Sequence, residues 1–120
     1  MKKLRIFFSW NTNPLWLYGE DGVFEDDVHE EYIHEDIPEL ASDPQLVQRI
    51  YALQDIYDDL FINTSKVFEY RGFDTKEERL SFYTEVNLVI RELKEKLKGK
   101  YVVLDDVDYS ADTPFKNDLE

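Results

Sequence analysis

Carboxylates apart, few residues in this chain are of a type that does chemistry. Its two histidines stand in the acidic run Val28-His29-Glu30-Glu31-Tyr32-Ile33-His34-Glu35. A helical zinc site needs histidines four apart, so that both point to one side. Five residues turn a helix by about 500°, which leaves the second ring about 140° out of register. On a strand, an odd spacing sends the two rings to opposite faces. The carboxylates lack the spacing of an EF-hand loop, so neither a metal ligand set nor a cofactor is expected. Cysteine is absent, which removes thiolate nucleophiles and disulfides. Ser9, Ser42, Ser65, Ser81 and Ser110 all lie outside a G-x-S-x-G elbow. The four glycines form no phosphate-cradling loop. The expectation is a protein that does not catalyse.

The carboxylates themselves are the stronger signal. There are 27 Asp and Glu against 14 Lys and Arg, a net charge of −13. Eleven acidic residues and no Lys or Arg occur between Ile6 and Gln48, and residues 101–120 hold six acidic residues against one lysine. Three sets are candidates for binding a partner. One is Asp21, Glu25, Asp26, Asp27, Glu30 and Glu31; another is Asp55, Asp58 and Asp59; the last is Asp105, Asp106 and Asp108. On a helix, like charges three or four apart cost about 0.2–0.5 kcal/mol per pair, so the second set calls for a reason. Tyr51 and Val47 flank it at positions that read as exposed. An aromatic ring among carboxylates suits an Arg- or Lys-rich partner. The plainer alternative is a solvated helix face, with Tyr51 covered by a strand or by the acidic segment. A field of this sign attracts basic partners and repels nucleic acid and anionic membranes.

Elements that position these residues are legible from periodicity. Leu4 to Trp10 and Leu15 to Tyr18 read as strands around the turn Asn11-Thr12-Asn13-Pro14, with a third strand starting at Val23-Phe24. Residues 25–42 fit either one short helix or a long exposed acidic loop. Asp43 as N-cap with Pro44 at the first helical position, or Ser42 with Gln45, starts a helix. Its stripe is Leu46, Ile50, Leu53, Tyr57 and Leu60, and its end falls near Phe61 to Asn63. Lys66 to Arg71 reads as a strand. Asp74, with Glu77 three residues on, predicts the cap of a second helix with Phe82, Val86, Val89, Ile90, Leu93 and Leu97 inward. Lysines 94, 96, 98 and 100 suit the negative end of its dipole, and Gly99 is its stop. Tyr101 to Leu104 is the last strand. The fold class expected is α+β: a mixed or antiparallel sheet of four to five strands, with two long helices on one face.

A chain of 120 residues with 42% hydrophobic residues is long and apolar enough for a core of its own. One domain is expected over 1–110, with 111–120 a flexible acidic tail. The apolar run after Lys2-Lys3 is about five residues, short of the roughly 7–15 of a secretory leader. No stretch approaches the ~20 apolar residues of a membrane span. A cytoplasmic protein is expected; its oligomeric state is open.

The opening strand Ile6–Trp10, the acidic stretch Glu20–Glu39 and the capped segment Phe73-Asp74-Thr75-Lys76-Glu77-Glu78-Arg79 leading to Tyr101–Leu104 give the chain a recognisable format. It resembles the immunity proteins of bacterial toxin–immunity systems, contact-dependent growth inhibition among them. The resemblance implies a partner: the C-terminal domain of a cognate toxin, often a basic nuclease, held by occlusion without turnover. An acidic adaptor or DNA mimic that binds another basic protein is the alternative with the same charge logic.

Overall fold

The structure is a computed structural model and describes residues 1–109. Alternation in two central strands builds its main sheet. In β1 (Lys2–Ile6), Leu4 and Ile6 are fully buried, while Lys3 and Arg5 take the opposite face. In β2 (Leu15–Tyr18), Leu15 and Leu17 point inward and Trp16 and Tyr18 outward. β3 (Phe24–Val28) adds Val28 to the inner face. β1 and β2 are antiparallel, as are β2 and β3, whereas β6 (Tyr101–Asp105) runs parallel to β1. The order is β3-β2-β1-β6, a mixed four-stranded sheet in an α+β fold.

After β3 the chain makes a 3₁₀ turn (Glu30–Tyr32), the short helix α1 (Ile33–Asp36) and a second 3₁₀ turn (Pro38–Leu40). Val28, Ile33, Ile37 and Leu40 pin this acidic segment down by burying themselves. So residues 25–42 are neither one short helix nor an exposed loop. The two long helices are α2 (Pro44–Asp58) and α3 (Lys76–Lys96). Asp43 caps α2, its Oδ1 accepting from Leu46 N at 3.2 Å, with Pro44 next in the first turn. Leu46, Ile50 and Leu53 from α2 and Phe82, Val86, Val89, Ile90 and Leu93 from α3 share one core with the inner face of the sheet. Gly99 at φ +80° stops the chain after α3, a conformation an L side chain rarely adopts.

Several boundaries depart from expectation for physical reasons. β1 ends at Ile6: the Phe7 N–H still pairs across to Pro14 O, but Pro14 has no N–H to return the bond, and the chain then turns through Asn11 at φ +54°. The cap of α3 is Thr75, whose hydroxyl accepts from Glu78 N at 3.1 Å. Asp74 instead pairs with Arg71. Phe61 to Asn63 is not a helix end but β4 (Phe61–Asn63), antiparallel to β5 (Phe68–Tyr70). This hairpin is held by rings. Phe61 stacks on Phe68 at 5.6 Å and meets Tyr57 at 5.4 Å, and Tyr57 in turn stacks on Phe8 at 5.8 Å. The acidic tail expected at 111–120 lies outside the described residues.

Candidate functional site

The β1–β2 connection, the end of β3 and the outer side of α2 enclose a cleft of about 550 Å³. Asn11, Thr12, Asn13 and Trp16 form one wall, Asp27, His29 and Glu30 another, and Tyr51, Gln54, Asp55 and Asp58 of α2 the third. Of the three acidic sets, two meet here. Asp27 and Glu30 come from the first and Asp55 and Asp58 from the second, although some 30 residues separate them in sequence.

Local bonds hold the walls. Asp58 Oδ1 accepts from Asn11 N at 2.7 Å and from Gln54 Nε2 at 2.8 Å. This double acceptance fixes the loop that Asn11 turns. Gln54 Nε2 also donates to Ser9 O at 2.8 Å. The Trp16 indole N–H donates to Asn13 O at 2.8 Å, and the Asn13 side-chain amide donates to Asp27 Oδ2 at 3.0 Å. That last bond, which favours the charged form, holds the Asp27 carboxyl below its usual range, with nearby His29 acting in the same direction.

Electrostatically the cleft is one-sided. Among the described residues no Lys or Arg lines it, and its one basic group is His29, 3.7 Å from Asp27. The carboxylates of Glu30 and Asp55 make no hydrogen bond or ion pair among the described residues. Arg49 on α2 does not relieve the field. Its Nε and Nη2 fork onto Glu85 at 3.1 and 2.8 Å, and its Nη1 meets Glu92 at 2.7 Å, so α3 holds it.

Tyr51 takes the covered alternative and not the exposed one. It is buried, at 8% exposure, and its hydroxyl donates to Val28 O at 2.6 Å. Val47 is buried too, at 4%. The residues after β3 fold against this side of α2, so the helix has a second covered face beside its apolar stripe. Burial, reinforced by the charges of Glu30, Asp36 and Asp27, pushes the Tyr51 phenol well above its ordinary range. Its ring is a wall of the cleft rather than a free anchor.

The other candidate residues lie elsewhere. Asp21 closes the β2–β3 turn by accepting from Val23 N at 3.0 Å, and Glu25 pairs with Lys2 at 3.0 Å. Asp26 is exposed on β3 and Glu31 on the turn after it. Asp59 is exposed at the end of α2. At the end of β6, Asp105 accepts from Val107 N at 3.1 Å and from the Tyr109 hydroxyl at 2.9 Å, and Asp106 takes Arg5 Nε at 2.6 Å. Asp108 follows them, and none of the three lines the cleft.

Gln54 escaped the sequence reading. It is 5% exposed, its amide nitrogen is doubly committed, and its Oε1 is buried with no hydrogen-bond partner among the described residues. The signal was present: Gln54 falls four residues after Ile50, where the stripe asks for an apolar side chain.

No three His, Cys, Asp or Glu side chains come together to hold a metal ion among the described residues. No described helix is long and apolar enough to cross a membrane. Against known families, residues 2–106 match the model described as CdiI_serr, Serratia CdiI immunity protein-like. No curated protein matches the chain.

Proposed function

The chain belongs to the Serratia CdiI immunity protein-like family, and from that premise we propose that it neutralises one cognate toxin domain by covering that domain's working surface. The toxin on this reading is a basic nuclease. A nuclease must hold phosphates with lysines and arginines, and an acidic surface competes for the same groups. The inhibitor performs no chemistry of its own, needs no cofactor and acts in the cytoplasm of the cell it protects, without recourse to nucleic acid or membrane.

One observation supports this most directly. Four carboxylates from two distant parts of the chain line a cleft that contains no Lys or Arg among the described residues, and two of them make no hydrogen bond or ion pair with a described residue. Folding opposes such an arrangement through like-charge repulsion. A partner of opposite charge reverses the sign of that term and speeds encounter.

The test is co-expression with the toxin C-terminal domain encoded beside this gene. Growth is rescued, and the purified pair forms a one-to-one complex whose association rate falls steeply as salt is raised, because exposed charges are screened within about 10 Å at 0.1 M ionic strength. Failure to rescue growth, together with no complex at low ionic strength, refutes the proposal.

A further inference from the structure

We propose that a groove between α2 and α3 is a docking site for a basic segment of the partner, which buries a large apolar side chain in it. The inference rests on the toxin-binding reading for the identity of the partner, and it concerns a surface apart from the acidic cleft. Leu53 and Ile56 each fall two residues before Asp55 and Asp58. That spacing turns them by about 200°, to the other side of α2.

Residue size makes the groove. Leu53, Phe73 and Phe82 line its floor and are buried. On α2 the wall is Ile56, 45% exposed. On α3 the facing position is Ser81, whose short side chain leaves the floor uncovered. The space between is about 440 Å³, within the range of about 300–1,000 Å³ in which ligands are held. Seven residues after Ser81, Leu88 returns to the same side of α3, 41% exposed, and lengthens the apolar strip. A lone exposed leucine or isoleucine is ordinary on a surface, whereas Ile56 stands at the lip of a recess with an apolar floor. That floor is set before anything binds. Phe82 packs on Phe73 at 5.4 Å and on Phe8 at 5.6 Å, and Arg49 ties α2 to Glu85 and Glu92 of α3. Little ordering is therefore needed on binding.

Charge selects the occupant. Glu77, Glu78 and Glu85 form the rim, and among the described residues no Lys or Arg lines the groove. Arg49 engages Glu85, but the carboxylates of Glu77 and Glu78 make no hydrogen bond or ion pair with a described residue. A fatty acid would bring its carboxylate against this rim. A second copy of the chain carries a net charge of −13, and the chain's own residues 110–120 hold three acidic residues against one lysine. A segment with Lys or Arg around a Leu or Phe brings the opposite sign and fits the floor as well. An amphipathic helix laid in a groove presents this pattern. Its charges speed encounter, and its buried side chain slows release.

Three capped octapeptides test the groove on the isotope-labelled full chain. The first is Lys-Leu-Ala-Lys-Lys-Leu-Ala-Lys; the second has Ala for both Leu, and the third has Glu for every Lys. The first shifts the Leu53 and Ile56 methyl signals and saturates with a dissociation constant on the order of millimolar. The other two bind several-fold more weakly. Ile56→Ser, at an exposed position where folding is not at stake, weakens the first peptide about fivefold through lost apolar area. Ser81→Leu fills the groove from the other wall and weakens it about tenfold. Glu78→Gln costs about twofold, whereas Glu31→Gln removes the same charge on the turn after β3 and changes nothing. In the toxin complex, Ile56→Ser and Ser81→Leu speed dissociation even at about 0.5 M salt, where exposed charges are screened. Equal binding of the first two peptides, or equal losses for Glu78→Gln and Glu31→Gln, overturns the inference. Ile56 signals that move with the chain's own concentration also overturn it, by giving the groove to a second copy. Growth rescue is measured separately, so a successful rescue beside unchanged dissociation of both groove variants removes the docking site and leaves the immunity reading intact.

Discussion

Replacing Tyr51 by phenylalanine isolates one atom on which the two views of this residue disagree. If the ring were an exposed anchor for a partner, removal of its hydroxyl would leave folding untouched. The structure instead places the hydroxyl inside, donating to Val28 O at 2.6 Å, with the ring 8% exposed. Phenylalanine keeps the ring and its packing. It removes the donor and leaves the Val28 carbonyl with the ladder bond that its register opposite Leu15 gives it. The net loss of one hydrogen bond costs about 0.5–1.5 kcal/mol. Burial of the site sets the expectation in the upper half, about 1–1.5 kcal/mol. For a domain of this length that is a drop in Tm of roughly 3–10 °C, out of a total stability of about 5–15 kcal/mol. Urea denaturation followed by fluorescence measures it, with an unchanged m-value showing that the denatured state is not altered. A midpoint equal to wild type within about 0.3 kcal/mol, the scale of an ordinary surface change, refutes the buried hydrogen bond and restores the exposed reading.

The remaining expectations concern the helices. Thr75→Ala removes the hydroxyl that accepts from Glu78 N and costs about 1 kcal/mol. Asp74→Ala breaks only an exposed pair with Arg71 and costs less than half of that, so the reverse order in chemical denaturation would return the cap to Asp74. The Arg49–Glu85 fork lowers the Glu85 carboxyl, chiefly through the hydrogen bonds from Arg49. A group depressed on folding stabilises above its unfolded value, ordinarily near 4.5, and loses that contribution as pH falls through its folded value. Glu85→Gln therefore costs about 0.5–1 kcal/mol at pH 7, kept small because a third of each side chain meets solvent. The difference from wild type closes in acid, and a gap that widened toward low pH would count against the pairing. Val86→Ala, at a fully buried site between the helices and the sheet, costs about 1–3 kcal/mol through lost apolar area and the cavity left behind.

Long-period patterns were the most readable part of the fold. Leu46, Ile50 and Leu53, and again Phe82, Val86, Val89, Ile90 and Leu93, turned inward as their spacing requires, because a helix that buries one stripe repeats its demand every turn. Phe61 to Asn63 misled because a three-residue strand is too short to show a period of two, and its apolar residues continued the helical stripe before it. Asp26 and Asp27 were hard to place in a strand because acidic residues disfavour one. They are accommodated there because β3 lies at the edge of the sheet, where charge is an asset against wrong pairing. The candidate site was half readable. Local density of charge singled out the carboxylates that line the cleft, but the meeting of Asp27 and Glu30 with Asp55 and Asp58 depends on how the segment after β3 folds onto α2. That is a tertiary fact with no local trace.

The parallel pairing of β1 with β6 also governs the order of events on the ribosome. Lys2 lies beside Tyr101 and Ile6 beside Asp105, so β1 keeps one flank empty until every element between it and β6 has been made. Closing so long a loop is entropically costly and slow. A nascent chain therefore carries an open edge beside an apolar face for the whole of that interval. Chains stopped short of residue 101 would lack the strand that closes that edge and should be prone to stick to one another.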